Sequence, residues 1–203
     1  MQIRELSIPD SYEITPNPFS DDRGVFMEWY RFDRFAEVVG HPIDLRQGNL
    51  SVSKKGVVRG IHFADVPRGQ AKYVSAVHGA VLDFVVDIRV GSPTFGQWDS
   101  VLLDDVQHRS IYIAEGLGHA FVALTEGAVV SYLVSDTYNA AREHGIDPRD
   151  GQIGLVFPPE AGELILSSKD TDAPTLAEAE VSGLLPSWVD LRAFYSSNDA
   201  TGS

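Results

Sequence analysis

The central part of the chain runs Gln47-Gly48-Asn49-Leu50-Ser51-Val52-Ser53-Lys54-Lys55-Gly56-Val57-Val58-Arg59-Gly60-Ile61-His62-Phe63 and resumes at Gln70-Ala71-Lys72-Tyr73. Its apolar residues predict strands that bury one face and expose polar side chains on the other. An amide pair, an arginine, a histidine and a lysine fall together within it. A lone histidine or lysine here would indicate a structural role. In a chain this acidic, the three together favour an anionic ligand beside a base.

Short strands continue outward from this stretch. We predict them over residues 72–77, 80–89, 97–103, 110–113, 119–124 and 128–135, with turn residues between them. In the second of these strands Val81, Asp83 and Val85 alternate with Leu82 and Phe84. Regular short strands without a β-α-β rhythm predict an all-β sandwich or barrel.

The N-terminal flank contains a turn with two carboxylates and Arg23 at residues 19–24, followed by a strand at 25–30. On that strand Phe26 and Glu28 share one face. Taken alone, these residues predict a surface hairpin with a structural salt bridge.

Two short helices are predicted outside the strands. Residues 33–40 form one, with Asp33 as the N-cap and Gly40 at its C-terminal end. Thr175-Leu176-Ala177-Glu178 is a capping box that begins another helix, which we expect to end at Gly183. We expect one domain over residues 1–195 and a disordered tail over 196–203.

Composition excludes several classes of function. The net charge of −13 disfavours nonspecific binding to nucleic acid. The chain contains no cysteine, which excludes disulfides, thiolate metal sites and a cysteine nucleophile, and fits a cytoplasmic location. No apolar run is long enough to span a membrane, and the N-terminus does not resemble a signal peptide.

The six histidines do not have the spacing of a metal site. No pair shows the His-x-His or His-x-x-x-His pattern that brings two imidazoles to one ion. His62 and His119 lie on or beside predicted strands. The others are expected to be exposed and inert in turns or loops: His41, His78, His108 and His144.

Taken together, these motifs resemble the dTDP-4-dehydrorhamnose 3,5-epimerase family, whose members epimerise dTDP-4-keto-6-deoxyhexoses on a cupin-type jelly roll. The matching segments occur in the family's order and cover about residues 15–176. They are residues 21–28, 47–51, Val58-Arg59-Gly60-Ile61-His62, Gln70-Ala71-Lys72, residues 87–96, residues 118–121, Tyr132 and Leu166-Ser167-Ser168-Lys169-Asp170. The resemblance implies an all-β jelly-roll sandwich with short peripheral helices.

The resemblance also implies a division of catalytic labour. His62 would be the base that removes a proton beside the ketone, with Asp170 holding its imidazole. Lys72 would stabilise the enolate oxygen. Tyr132 would return a proton to the opposite face of the sugar.

The remaining site residues are assigned to substrate binding by the same resemblance. Arg59 and Arg23 would bind the diphosphate, because a guanidinium offers two parallel donors to its oxygens. Tyr138 could stack on the base. His119 matches a second family histidine, with Asp83 as its partner. Four further positions match the surroundings of the nucleotide and sugar: Phe26, Glu28, Gln47 and Asn49.

The resemblance further implies a homodimer in which residues 19–30 cross to the neighbouring subunit. We expect no cofactor. The histidine spacing and the absence of cysteine argue against a metal, the net charge against nucleic acid, and the lack of a long apolar run against a membrane. Departures from the family pattern occur at Ala64, Ala120 and Phe157-Pro158. Residues 66–73 resemble members of antibiotic deoxysugar pathways, which act at C3, at C5 or at both.

Three alternatives belong to other classes. A metal-dependent cupin oxidase would need two histidines on one strand, and His62 is alone in its own. A non-catalytic sugar-nucleotide-binding jelly roll would lack either a base or an acid. A ketoisomerase of the same fold uses the same enolate chemistry but moves the carbonyl rather than inverting a centre.

Overall fold

The computed structural model describes residues 1–40, 44–67 and 69–199, and the side chains of all of these except residues 197–199. Within this part the chain forms thirteen short strands and a few short helices. The strands are β1 Gln2–Glu5, β2 Ser11–Thr15, β3 Pro18–Asp21, β4 Gly24–Met27, β5 Gln47–Ser53, β6 Val58–Ala64, β7 Lys72–His78, β8 Ala80–Val86, β9 Trp98–Asp104, β10 Ser110–Ile113, β11 Gly118–Ala123, β12 Ala128–Val134 and β13 Glu143–Gly145.

Two antiparallel sheets pack face to face. The larger has the strand order β1-β2-β10-β7-β12-β5, and the smaller has the order β13-β6-β11-β8-β9. Strands β3 and β4 form a separate hairpin. Non-consecutive strands lie side by side in both sheets, as in a jelly roll. The predicted all-β, cupin-type jelly-roll sandwich is therefore confirmed.

Alternation along the strands divides the core into layers. In β8, Val81 and Val85 pack in the interior against Val74 of the opposite sheet. Phe84 and Val86 point to the other face, where they pack against Leu176 and its neighbours in the C-terminal part of the chain. The C-terminal segments thus cover the outer face of the smaller sheet.

Aromatic residues cover the outer face of the larger sheet. Tyr12, Tyr112 and Tyr73 lie opposite one another on β2, β10 and β7. Phe35 of helix α1, Phe32–Val39, packs edge-on against Tyr73 and Tyr112. Trp29 donates from Nε1 to Ser75 Oγ at 2.7 Å. These contacts dock the segment that follows the β3–β4 hairpin onto the sheet.

Helix α1 begins differently from the prediction. Its N-cap is Arg31, without a side-chain capping bond, so the assignment of Asp33 was wrong. Asp33 instead accepts a 2.8 Å hydrogen bond from Nε of Arg31, which occupies its carboxylate. Gly40 ends the helix as predicted, with φ of 87°.

The remaining helices lie at the periphery. They are α2 Ser168–Thr171, α3 Leu176–Val181, α4 Trp188–Asp199 and a 3-10 turn at Pro159–Ala161. The capping box of Thr175 and Glu178 is confirmed, and Gly183 follows the helix at φ of 70°. Helix α4 was not predicted, and its last four residues, 196–199, fall in the stretch expected to be a tail. Residues 200–203 lie outside the described part. No described helix is long and apolar enough to cross a membrane.

The prediction of inert loop histidines fails for His144. This residue lies on β13, and its Nε2 is 2.6 Å from Asp65 Oδ1. Strand β13 is too short to give a periodic signal, and its pairing with β6 is a tertiary contact. His78 is largely exposed, His108 is half-buried, and His41 lies outside the described residues.

Candidate active site

A cavity of about 300 Å³ lies on the inner faces of the two sheets. Most of the predicted site residues line it. These are Gln47, Asn49, Arg59, His62, Lys72, His119, Tyr132 and Tyr138.

Strand register explains why the larger sheet supplies several of these side chains. Tyr132 lies opposite Asn49 of β5 on one side and opposite Val74 of β7 on the other. Residues that pair across a sheet point to the same face. Gln47 and Asn49 share that face because they are two residues apart, and Gln47 donates from Nε2 to Asn49 Oδ1 at 2.7 Å.

Arg59 and His62 come from β6, where a bulge places them together. Three residues apart, they would point to opposite faces of a regular strand. The pairing with β11 shifts between its two registers, however, so that His62 lies opposite His119 while Arg59 lies opposite Phe121. Gly60, between them, has φ of 118°, a conformation that favours glycine. Both functional side chains therefore reach the cavity.

Asp170 lies behind His62 and completes a histidine–carboxylate pair. Its Oδ1 is 2.6 Å from His62 Nε2, and its Oδ2 accepts a hydrogen bond from Ser167 Oγ at 2.7 Å. Burial raises the pKa of Asp170, but the hydrogen bonds from His62 and Ser167 outweigh it and hold the pKa below its ordinary value. An ionised carboxylate in this position fixes the orientation of the imidazole.

Lys72 lines the cavity and is buried, with 7% of the residue exposed. Its Nζ is 3.4 Å from the backbone oxygen of His62. Burial lowers the pKa of Lys72, while the charges of Glu143 and Asp83 oppose that shift. The side chain of Lys72 therefore lies beside the backbone of His62 in surroundings with little water, where Glu143 and Asp83 favour its charged form.

A second histidine–carboxylate pair lies beside the first. His119 Nε2 is 2.9 Å from Asp83 Oδ2, as predicted, and Asp83 is completely buried. Burial raises the pKa of Asp83, against the effects of His119 and Lys72.

Tyr132 and Arg59 lie close enough to interact electrostatically. Burial raises the pKa of Tyr132, and the charge of Arg59 opposes that shift. Arg59 is oriented by Ser53, whose Oγ accepts a hydrogen bond from Nε at 3.2 Å. The neutral phenol retains a proton that it can donate.

Besides Asp170, which lies behind His62, three predicted residues do not line this cavity. Arg23, Phe26 and Glu28 lie on or just after the β3–β4 hairpin. Arg23 pairs with Asp21, as the surface-hairpin interpretation predicts, and is almost fully exposed. Glu28 accepts from Arg31. Within one chain, these residues are separate from the site.

The cavity also contains residues to which the sequence analysis gave no role. They are Ser51, Gln70, Phe121, Glu143 and Lys169. Ser51 could have been found, because it continues the two-residue period of Gln47 and Asn49. Glu143 had no signal, since its three-residue strand joins the site only through tertiary pairing with β6. Among the described residues there is no group of three or more His, Cys, Asp or Glu side chains that could hold a metal.

The site combines a paired histidine, a buried cation, a phenol and an arginine, which are the groups required for acid–base chemistry on an anionic substrate. Fold and site together describe a jelly-roll protein with groups suited to acid–base chemistry in its cavity. The model of the dTDP-4-dehydrorhamnose 3,5-epimerase family matches residues 5–178. The chain belongs to this family of carbohydrate epimerases.

Several relatives agree with this assignment. A dTDP-4-dehydrorhamnose 3,5-epimerase of Mycolicibacterium smegmatis is 58% identical over 194 residues, covering 96% of this chain and 95% of that protein. NovW, a 4-keto-6-deoxy sugar epimerase from the novobiocin biosynthetic gene cluster of Streptomyces spheroides, has a TM-score of 0.90 at 53% identity, covering 93% of this chain and 94% of its own. ChmJ, a 3'-monoepimerase from Streptomyces bikiniensis in complex with dTDP-quinovose, has a TM-score of 0.90 at 43% identity. The match covers 97% of this chain and 98% of ChmJ.

Proposed function

We propose that this protein epimerises a dTDP-4-keto-6-deoxyhexose at C3, at C5 or at both, by proton removal and return beside the C4 ketone. The observation that carries the proposal is the His62–Asp170 pair, with its 2.6 Å contact, in one cavity with Lys72 and Tyr132. Each step of the reaction has a matching group. The sugar serves the biosynthesis of a natural product, as the likeness to NovW supports.

His62 is the base in this proposal. Asp170 accepts from one ring nitrogen and stabilises the imidazolium that forms when the other nitrogen takes the proton from carbon. Proton removal beside a ketone leaves negative charge on the carbonyl oxygen. A buried cation stabilises that charge more strongly than water does, and Lys72 lies next to His62 in the same cavity.

Tyr132 is the acid that protonates the opposite face of the enolate. It comes from β12 in the larger sheet, whereas His62 comes from β6 in the smaller one. A sugar ring between the two sheets would then have one proton-transfer group on each side. The raised pKa of the phenol keeps it protonated at neutral pH.

The dTDP moiety is bound by the polar rim of the site. Arg59 faces the cavity and pairs with the diphosphate, while Gln47, Asn49 and His119 contact the sugar and nucleotide. Tyr138 is exposed at the edge of the cavity, where its ring can stack on the base. Gln47 Oε1 accepts from the backbone N–H of Tyr138 at 3.0 Å. The complex of ChmJ with dTDP-quinovose supports this class of ligand.

The exposed hairpin completes the site of a second copy in a homodimer. Phe19 and Phe26 are 63% and 69% exposed, and Val25 is 57% exposed, an apolar set that a monomer would leave in water. Arg23 and Glu28 flank it and lie outside the cavity of their own chain. In this proposal both reach the partner's nucleotide, and Arg23 adds a second guanidinium for the diphosphate.

The decisive experiment is incubation of the purified protein with dTDP-4-keto-6-deoxyglucose in D₂O, with deuterium at C3 and C5 read by NMR. We expect incorporation at C3, C5 or both, together with an inverted product. Treatment with EDTA should leave the rate unchanged, because we propose that no metal or other cofactor takes part. Movement of the carbonyl without inversion would identify a ketoisomerase, and binding without exchange would identify a non-catalytic protein.

A further inference from the structure

The two oxygens of the Asp170 carboxylate have different partners. Oδ1 contacts His62 Nε2, and Oδ2 accepts from the hydroxyl of Ser167. The same hydroxyl oxygen accepts from the backbone N–H of Asp170 at 3.2 Å. The Ser167 hydroxyl therefore contacts Asp170 twice, once at the carboxylate and once at the backbone.

We infer that Ser167 is a positioning residue for proton abstraction: its hydroxyl holds the Asp170 carboxylate in the rotation that keeps Oδ1 on His62. The inference rests on the proposed function of His62 as the base. Ser167 does not line the cavity, so it acts through Asp170 and not on the substrate.

The hydrogen bond from Ser167 to Asp170 limits how the carboxylate can rotate. Asp170 is 5% exposed, so that little water reaches its carboxylate. A carboxylate rotates readily about the bond that joins it to Cβ, and a donor on each oxygen removes that freedom. Ser167 is fixed in its turn as the N-cap of α2. The chain of contacts runs from the start of this helix to the imidazole.

Other charges surround the pair and remain in place when the hydroxyl is removed. Lys169 precedes Asp170 on α2, and its charge favours the ionised carboxylate. Asp147 lies close enough to interact with Asp170, but it is paired with Arg149 through a 2.8 Å contact. Arg149 also donates to the backbone oxygen of Thr171. A comparison of Ser167 variants therefore changes one hydroxyl group, while these charges stay the same.

Loss of the Ser167 hydroxyl should raise the pH at which the His62–Asp170 pair takes up a proton. When His62 is neutral, the His62–Asp170 pair carries one negative charge, and when His62 is protonated the pair is neutral. A hydrogen bond to the carboxylate stabilises the charged form more than the neutral one. Without it, the pair takes up a proton at higher pH. The acidic limb of the pH profile of kcat should move to higher pH as well.

The test compares Ser167→Ala with wild type and with Ser167→Thr, which keeps the hydroxyl. In D₂O exchange assays we expect the alanine variant to lose roughly tenfold in kcat at neutral pH, to keep its KM, and to show an acidic limb displaced to higher pH. Ser167→Thr should restore both properties. The control is Ser168→Ala, which alters the neighbouring exposed serine at the start of the same helix and should behave as wild type.

A second measurement needs no substrate. In protein labelled with isotopic histidine, the signal missing from His62→Ala identifies His62, and we expect its titration midpoint to rise in Ser167→Ala. If the only role of Ser167 is to cap α2, the melting temperature falls while the midpoint and the pH profile stay in place, and the inference is wrong. If wild type itself exchanges no deuterium, the proposed function fails, whereas an unchanged midpoint would overturn the inference alone.

Discussion

At the scale of single residues, burial and cavity position separate three similar histidine–carboxylate pairs. His62, His119 and His144 each lie 2.6–2.9 Å from an aspartate. His62 and His119 line the cavity, whereas His144 packs against Phe63 outside it. The partner of His144 is also half-exposed, unlike the buried partners of the other two. The proposed base has both a carboxylate behind it and access to the cavity. His144 has only the carboxylate, so its contact with Asp65 is structural.

The roles of His62 and Tyr132 predict different defects. His62→Ala should reduce deuterium exchange and inversion together, by about 10²–10⁴-fold, because no group abstracts the proton. Tyr132→Phe should retain exchange within a few-fold but reduce inversion by about 10²-fold or more, since delivery to the opposite face fails. Both rates can be read from one NMR time course in D₂O.

Three results would contradict this division of labour. Normal exchange in His62→Ala would show that another group is the base. If Tyr132→Phe inverts the sugar as fast as wild type, the tyrosine is not the acid. Equal loss of both rates in Tyr132→Phe would instead indicate that the phenol polarises the carbonyl.

At the scale of elements, the contact between β6 and β11 builds the site. The register shift lets Arg59 and His62 share one face, and it needs the positive φ of Gly60. A Cβ on Gly60 would lie 2.4 Å from the backbone oxygen of His119 and 2.6 Å from Cα of Ala120. Backbone atoms do not move aside cheaply, so the close approach of the two strands depends on this glycine.

We therefore expect Gly60→Ala to destabilise the protein by about 3 kcal/mol, which combines backbone strain with overpacking. Denaturant unfolding measures the change. The control is Gly91→Ala, because Gly91 also has a positive φ, of 86°, but a Cβ there would meet open space. It should cost about 1 kcal/mol, from strain alone. Equal losses in the two variants would show that the contact with β11 is unimportant.

At the scale of the whole molecule, one chain contains the proposed acid–base groups, while part of the predicted binding set lies on the β3–β4 hairpin. The hairpin pairs only within itself among the sheets of the described residues. Its exposed aromatic rings and Arg23 are separate from the cavity. An assembly that places a partner's hairpin at the cavity would reunite the full set.

Mixed dimers test this exchange directly. Arg23→Ala and His62→Ala should each be impaired alone. After joint unfolding and refolding, a hybrid contains one site with both His62 and the partner's arginine, and a random mixture should recover about a quarter of wild-type activity. Light scattering should give twice the mass of the chain. Absence of recovery in a confirmed hybrid would place Arg23 in the site of its own chain, or outside any site.

Features that depend on local order could be predicted from the amino-acid sequence. The two-residue period that includes Gln47 and Asn49 predicted a strand with a polar face, and Thr175 with Glu178 predicted the start of α3. Such patterns are readable because pleat and helix geometry repeat along the chain. The family resemblance supplied the pairing of His62 with Asp170, residues 108 positions apart.

Which side chains meet depends on tertiary packing. Strict alternation separates Arg59 from His62, and the bulge opposite β11 overrides it. Glu143 enters the site through a strand of three residues, too short for any pattern. Asp33 does not cap helix α1, because its carboxylate pairs with the guanidinium of Arg31. The bulge and the entry of Glu143 both depend on contacts between distant segments, which local periodicity does not encode.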